Sequence, residues 1–446
     1  MLCFILIDRR GIYLHQITPA WMSMRFIIFL STITLIVLII DVYGFFGIRQ
    51  LTTNISPVTR KVLRYLWFVP SVITIILFAI LALRYEQLQL TRSYSFFSFV
   101  TGFAFLFLIP KIVFFAFHFA DDIMHLFRSI FSFAQSKISS EPHEKINRLQ
   151  FFNQVGLAAG TLLLGSVAYG IAKGKYAFRV LSEKISFDDL PIEFDGVRIV
   201  HISDAHLGSF LDNSFDEVAE AIQMINDLNP DYVFFTGDMV NNYAFEAEPW
   251  IGHFNNIKAK RGKFSILGNH DYGDYVFDKS DPSTREPQRL NLIRLKEIHK
   301  EMGFTLLCNE NTLLEKDGAT IRLLGMENWG RGFQQYGDFK KTLEGSIYEE
   351  FKILLSHDPT HWEEQVLKQE HVHLTLSGHT HGMQFGVELP KLNIKISPAS
   401  LRYKRWGGLY SEGNQHIYIN RGFGFLGFPG RVGMPPEITC IDLHKG

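Results

Sequence analysis

The stretch that decides the fold is VRIVHISDAHLG, residues 197–208, a run of β-branched and apolar residues that stops abruptly at an Asp-x-His cluster. The same arrangement recurs four times downstream. DYVFFTGD (231–238) ends in Gly237-Asp238, and KFSILGNHD (263–271) in Gly268-Asn269-His270-Asp271. KILLSHD (352–358) ends in His357-Asp358, and VHLTLSGHTH (372–381) in Gly378-His379-Thr380-His381. Runs of this length and composition read as buried strands, and charged segments such as 213–228 and 288–302 read as helices between them. The spacing predicts an α/β domain over residues 185–446 whose strands deliver potential ligands to one edge of a sheet, where open α/β folds place their binding crevice.

A single His at a strand end is ordinarily a hydrogen-bonded structural residue. Here Asp204, His206, Asp238, Asn269, His270, His357, His379 and His381 all follow apolar strands, several beside glycine, and eight separate coincidences are a poorer explanation than one site. The donor set is carboxylate, amide and imidazole, which suits hard-to-borderline ions such as manganese, iron or zinc. A thiolate zinc site is excluded, because Cys308 and Cys440 are isolated.

In front of this domain the texture is different. Four apolar stretches, about 26–46, 66–83, 96–120 and 152–172, each approach the ~20 residues a helix needs to cross the hydrocarbon core. The first two show no polar face, and the fourth is rich in small residues (GLAAGTLLLGSVAYG), which permits close helix packing. The reading is therefore an amino-terminal extension (1–25), a membrane domain (26–175) and the α/β domain. Residues 121–150 mix charge and aromatics, as in an interfacial helix plus linker. The extension lacks the order of a signal peptide, since Arg9 and Arg10 follow its apolar run.

Lys and Arg in the short loops orient the protein. With the amino-terminal extension and its Arg9 and Arg10 set aside, Arg49, Arg60, Lys61 and Arg64, with Arg128, Lys137, Lys145 and Arg148, outweigh Arg84, Arg92, Lys173, Lys175 and Arg179, so the first set is expected in the cytoplasm and the α/β domain outside it. Asp41 and Lys111 interrupt apolar runs near their ends, where snorkelling is expected; two such charges are too few for a transport path.

Composition agrees with a divided chain. The 446 residues are 47% hydrophobic and 20% charged, which excludes disorder, and 44 basic against 45 acidic residues leave no field to attract nucleic acid. The mean hydropathy of +0.07 is the sum of two unlike halves.

The five motifs, in this order, resemble the calcineurin-like metallophosphoesterase superfamily, and in particular its membrane-associated bacterial branch of YkuE- and YaeI-like proteins. The resemblance runs through HISDAHLG, FTGDMVN, LGNHDYG, LLSHDP, LSGHTHGMQFG and INRGFGFLGFPGRVGMPPEITCIDL, about residues 190–443. It implies a four-layer α/β/β/α sandwich behind the four helices. It further implies two divalent or trivalent metal ions, one on Asp204, His206 and His381, the other on Asn269, His357 and His379, with Asp238 bridging. A metal-bridging hydroxide would attack phosphorus, and His270 would protonate or stabilise the leaving group. Asp271 either orients that imidazole or is a turn residue. The branch has a second glycine after the last motif His; Met383 stands there instead.

The expected activity is hydrolysis of a phosphate ester, phosphodiester or pyrophosphate by a multi-pass cell-membrane enzyme, on a phosphorylated small molecule or a lipid-linked substrate drawn from membrane lipid. Two alternatives stand beside it. One is a pyrophosphatase of the UDP-diacylglucosamine type, which needs a cytoplasmic site; the other is a non-catalytic receptor or scaffold on the same fold, whose mark would be decay of the ligand set. Asn328-Trp329-Gly330 and the Phe-rich loop 422–430 form either a pocket for an acyl chain or nucleobase, or a turn that packs its phenylalanines inward.

Overall fold

The computed structural model describes residues 20–84, 94–136, 149–210, 214–369, 371–389, 392 and 394–446; the expected extension up to residue 19 and the linker 137–148 lie outside them. The described residues fall into two compact units, the first drawn from residues 20–84 and 103–164, the second from residues 94–102 and 165–446.

The apolar stretches are helical: α1 (Ala20–Leu51), α2 (Pro57–Leu66), α3 (Val69–Leu83), α4 (Ser95–Ser136) and α5 (Leu149–Ala172). Four spans within them, Ser31–Leu51, Pro57–Leu83, Ser95–Phe127 and Phe151–Ala172, are long and apolar enough to cross a membrane. The small residues of α5 act as anticipated, since a Cβ on Gly156 would lie 2.7 Å from Phe117 Cβ and one on Gly160 would lie 3.1 Å from the Pro110 carbonyl oxygen. Asp41 and Lys111 do not snorkel. Both are buried, and Lys111 Nζ donates to Asp41 Oδ1 at 2.7 Å, to the Trp67 carbonyl at 2.6 Å and to Ser71 Oγ at 2.7 Å. The flexible lysine stem reaches a carboxylate on another helix, and pairing removes the cost of isolated charges in an apolar bundle.

The second unit contains two six-stranded mixed sheets. The first has the order β1 (Arg179–Phe187), β14 (Glu437–Lys445), β2 (Arg198–Ile202), β3 (Tyr232–Phe235), β4 (Gly262–Ser265), β5 (Thr305–Leu306). The second has the order β12 (Gly408–Glu412), β13 (Gln415–Ile419), β9 (Leu374–Ser377), β8 (Lys352–Leu355), β7 (Ala319–Gly325), β6 (Glu310–Lys316). The central strands β3, β8 and β9 are buried along their whole length, as parallel strands covered on both faces must be. Val197, Ile199 and Phe234 of the first sheet pack on Leu323, Ile353 and Leu376 of the second. On the outer face of the first sheet lie α6 (Phe215–Asp227), through Val218, Ile222 and Ile225, and α7 (Pro282–Glu301), through Leu295 and Ile298. Trp362 and Val366 cover the second sheet. The result is the α/β/β/α sandwich, with a separate hairpin of β10 (Val387–Leu389) and β11 (Ile394–Ile396).

Candidate metal centre

The sequence pattern points to one sheet edge, but the site is divided between two. Parallel β2, β3 and β4 deliver Asp204 and His206, Asp238, and Asn269 and His270 from the first sheet. Parallel β8 and β9 deliver His357, and His379 and His381, from the second. Packing the two sheets face to face brings their carboxyl-terminal edges together, a relation no strand encodes locally. The edges are sewn to each other, because His357 Nδ1 lies 2.7 Å from the Thr236 carbonyl and the His379 backbone N–H donates to Asp204 Oδ2 at 2.9 Å.

The loops are strained where they carry the site. Asp204, His206, Asp238, His379 and His381 have φ of 52, 44, 58, 71 and 50°, in the left-handed region that costs an L-residue roughly 1–2 kcal/mol. The surrounding backbone holds them there. Asp271, fully buried, accepts from the N–H groups of Gly268 and Asp238 (both at 2.9 Å) with one oxygen, and from those of Met239 (2.9 Å) and Val240 (3.3 Å) with the other. It therefore organises the two loops and does not touch the His270 ring. Gly237 is required on two counts: its φ is +94°, and a Cβ would strike the backbone of Gly268.

The donor atoms converge in two groups. In the first, His206 Nε2 is 3.1 Å from His381 Nε2, His381 Nε2 is 3.2 Å from Asp204 Oδ1, and His206 Nε2 is 3.6 Å from Asp238 Oδ2. In the second, His357 Nε2 is 3.1 Å from Asn269 Oδ1, 3.3 Å from His379 Nδ1 and 3.2 Å from the same Asp238 Oδ2. Asp204 with His206 and His381, and Asp238 with His357 and His379, are groups able to hold a metal ion. Imidazole nitrogens facing each other at such distances would repel lone pair to lone pair unless a cation or proton stood between them, so the residues fit metal ions well. Burial keeps the imidazoles of His206 and His379 neutral, the form a ligand needs. Burial also disfavours the His357 imidazolium, but Asp238 and Asp204 outweigh it and push its pKa up to about 10. The pocket is built for positive charge.

Each imidazole is also held from behind. His357 Nδ1–H donates to the Thr236 carbonyl, leaving Nε2 for a metal. His379 Nε2 contacts Tyr403 Oη at 2.9 Å and Asp358 Oδ2 at 3.4 Å, leaving Nδ1. His270 Nδ1–H donates to the Asn241 carbonyl at 2.8 Å, its backbone N–H donates to Asp238 Oδ1 at 2.8 Å, and its ring stacks on Tyr275. His270 thus turns Nε2 to the pocket, and burial holds its pKa below the ordinary value.

The pocket itself measures about 230 Å³. His206, Asp238, Asn269, His270, His379 and His381 line its floor, with Asp204 and His357 behind them. The sequence reading did not find most of the walls: Tyr275, Phe333, Arg402 and Tyr403. No strand-end pattern marks them, although an arginine beside a tyrosine in LRYKRW (401–406) and the adjacency of Asp358 to His357 were visible signals. The loop 422–430 divides between the two readings given for it, since Phe423 and Phe425 are buried in the core while Leu426 reaches the pocket.

This fold and site define a metallophosphoesterase. The calcineurin-like phosphoesterase family model matches residues 197–383, and a model described as the transmembrane domain of a probable calcineurin-like phosphoesterase matches residues 24–175. The metallophosphoesterase YkuE of Bacillus subtilis is 32% identical over 312 residues, 68% of this chain and 99% of its own. The chain belongs to the calcineurin-like phosphoesterases and is a membrane protein of that family, a metal-dependent hydrolase. It is also similar to the UDP-2,3-diacylglucosamine pyrophosphatase LpxG of Chlamydia trachomatis, at 28% identity over 310 residues, 57% of this chain and 86% of that one. Among solved structures, the phosphopantetheinyl hydrolase PptH of Mycobacterium tuberculosis covers 51% of this chain and 89% of its own at 13% identity, with a TM-score of 0.29.

Proposed function

We propose that the chain is a binuclear phosphoesterase acting on a phosphorylated amphiphile of the membrane that holds it. The observation that carries the two-ion reading is Asp238 Oδ2, shared by both donor groups at 3.6 Å from His206 and 3.2 Å from His357. Asp204, His206 and His381 would hold one ion, Asn269, His357 and His379 the other, and Asp238 both. Manganese, iron and zinc all suit these donors. Ions bound there would supply Lewis acidity and an activated water for hydrolysis at phosphorus.

The chain's own groups do the rest. Arg402, at the mouth, offers a guanidinium to phosphoryl oxygens. His270 presents Nε2 to the same space, with Nδ1–H fixed on Asn241. An anionic phosphate beside it favours the imidazolium, which can then donate its Nε2 proton to the departing oxygen.

A lipid pyrophosphatase is the second reading, favoured by the similarity to LpxG. It requires a cytoplasmic catalytic domain, whereas the loop charges favour an extracytoplasmic one. A topology reporter fused after Gly446 separates them, because an exported reporter sinks the pyrophosphatase reading. For the reaction, the full-length protein in detergent with manganese should hydrolyse nitrophenyl phosphate or bis-nitrophenyl phosphate. Absence of metal-dependent turnover on mono-, di- and pyrophosphate substrates would defeat the proposal.

A further inference from the structure

The hairpin beside the pocket is built inside out. Val387 pairs with Ile396, Glu388 with Lys395 and Leu389 with Ile394. The charged pair is engaged on its own domain: half-buried Glu388 accepts from Arg421 Nη2 at 2.7 Å, and the Nζ of exposed Lys395 sits 4.8 Å over the Trp406 ring. The apolar residues face out, with Val387 49%, Leu389 45%, Ile396 65% and the neighbouring Leu401 91% exposed. Surface apolar side chains occur singly on soluble domains; a cluster on a two-stranded hairpin whose charges are spent internally marks a docking face.

What covers it follows from its attachments, all within the second unit. The Gly386 N–H donates to the Val432 carbonyl at 3.0 Å, and the Val432 N–H to the Gln384 carbonyl at 2.8 Å. One residue back, the Arg431 N–H donates to the carbonyl of Gly170, in the last turns of membrane-crossing α5. Thr101, in the first turns of α4, donates to the Gly427 carbonyl at 2.9 Å, and a Cβ on Gly102 would lie 3.0 Å from Pro429. The hairpin base is therefore one strand spacing, ~5 Å, from the segment that bonds to the last turns of a helix long and apolar enough to span. Exposed Arg402 and Lys404 add positive charge suited to anionic headgroups. Met383, a residue with φ of 48° where glycine is at ease, lines the pocket and is itself exposed.

We infer that the β10–β11 hairpin, with Leu401, lies in the headgroup layer of the membrane spanned by α4 and α5, and that it presents the pocket mouth to lipid. The pocket, at about 230 Å³, holds a phosphoryl group and its nearest neighbours, while the apolar part of the substrate stays in the bilayer past Met383 and Leu426. The substrate part of this inference rests on the phosphoesterase reading; the docking part does not.

The test uses full-length protein in nanodiscs of phosphatidylcholine with a minority of phosphatidylglycerol, the three native cysteines replaced by serine. An environment-sensitive nitrobenzoxadiazole label is attached at Leu389→Cys, at Leu401→Cys and, as a control, at exposed Tyr348→Cys. Labels at 389 and 401 should emit to the blue and be quenched several-fold more by doxyl-labelled lipid than the control. Quenching equal to the control overturns the docking, as does a blue shift that depends on protein concentration and not on doxyl lipid, which would assign the face to a second copy. The variant Val387→Ser/Leu389→Ser/Ile396→Ser should keep the wild-type rate on nitrophenyl phosphate and show at least a several-fold higher KM for a phosphorylated amphiphile in the nanodisc. An unchanged KM overturns the substrate path. Absence of turnover by the wild-type protein on either substrate would count against the phosphoesterase reading while leaving the fluorescence result standing, and loss of both activities in the triple variant alone would overturn the substrate path by showing that the hairpin supports the site itself.

Discussion

Replacing Glu246 by glutamine should reverse its effect on stability between acid and neutral pH. Glu246 is 6% exposed; its carboxylate accepts from the backbone N–H of Asn241 at 2.6 Å and of Tyr243 at 3.0 Å, and from Tyr94 Oη at 2.9 Å. Burial nonetheless dominates these bonds and raises its pKa to about 7. In the unfolded chain the value is about 4.3. The folded pKa being the higher, its stabilising contribution is complete below about pH 4.3 and is lost as pH rises toward 7, because the unfolded carboxyl ionises first. The interval of roughly 2.7 pH units corresponds to about 3–4 kcal/mol. Glutamine does not titrate. It forfeits an acceptor for one of the backbone donors, a cost of about 1 kcal/mol, so the variant should melt slightly below wild type near pH 4.5. By pH 7.5 it should melt above wild type, the difference having moved by several degrees at roughly 2–4 °C per kcal/mol. The assay is thermal unfolding of the detergent-solubilised full-length pair across that range, in which other titrating groups cancel. A difference that stays flat, or one that moves against the variant as pH rises, refutes the reasoning.

Four further outcomes are expected. Asp238→Asn should lower bound metal, measured by mass spectrometry of the purified protein, and reduce kcat by at least a hundredfold; full metal content would remove Asp238 from the shared position. Asp271→Asn should destabilise by about 3–5 kcal/mol, since its buried oxygens serve four backbone N–H groups; a shift below 1 kcal/mol would show that the loops hold without it. His270→Ala should lower kcat with metal content unchanged, and a loss of metal would make it a ligand instead. Lys111→Met should cost about 3–5 kcal/mol in the detergent-solubilised protein by stranding buried Asp41, and Asp41→Asn in the same chain should restore most of it; equal melting of single and double variants would show the pair to be uncoupled.

Much of the catalytic unit was legible because its information is local. A strand followed by Asp-x-His or Gly-Asn-His-Asp carries its ligands at the strand end whatever the rest of the chain does, and all eight residues named on that basis gather around one pocket. What eluded the sequence reading arrives from afar. Asn241 meets His270, Tyr403 meets His379, and Glu246 braces Asn241 only after loops of different strands are stacked. Asp271, adjacent to His270 in sequence, turned away from it to serve four backbone donors, which only the fold of two loops makes available. Asp41 and Lys111, each read as a charge at a helix end, found each other across 70 positions.

The sequence alone determined that the chain has a lipid-soluble half and a water-soluble half, and that the second presents carboxylate, amide and imidazole donors at the ends of strands; hydropathy over twenty residues and periodicity over six are properties of short segments. Tertiary structure decided that the donors come from two sheets and not one, that Asp238 stands between two donor groups, and that an apolar hairpin is tied through Val432 and Arg431 to the end of α5. Those relations depend on distances between segments hundreds of residues apart, which packing fixes and no local pattern records.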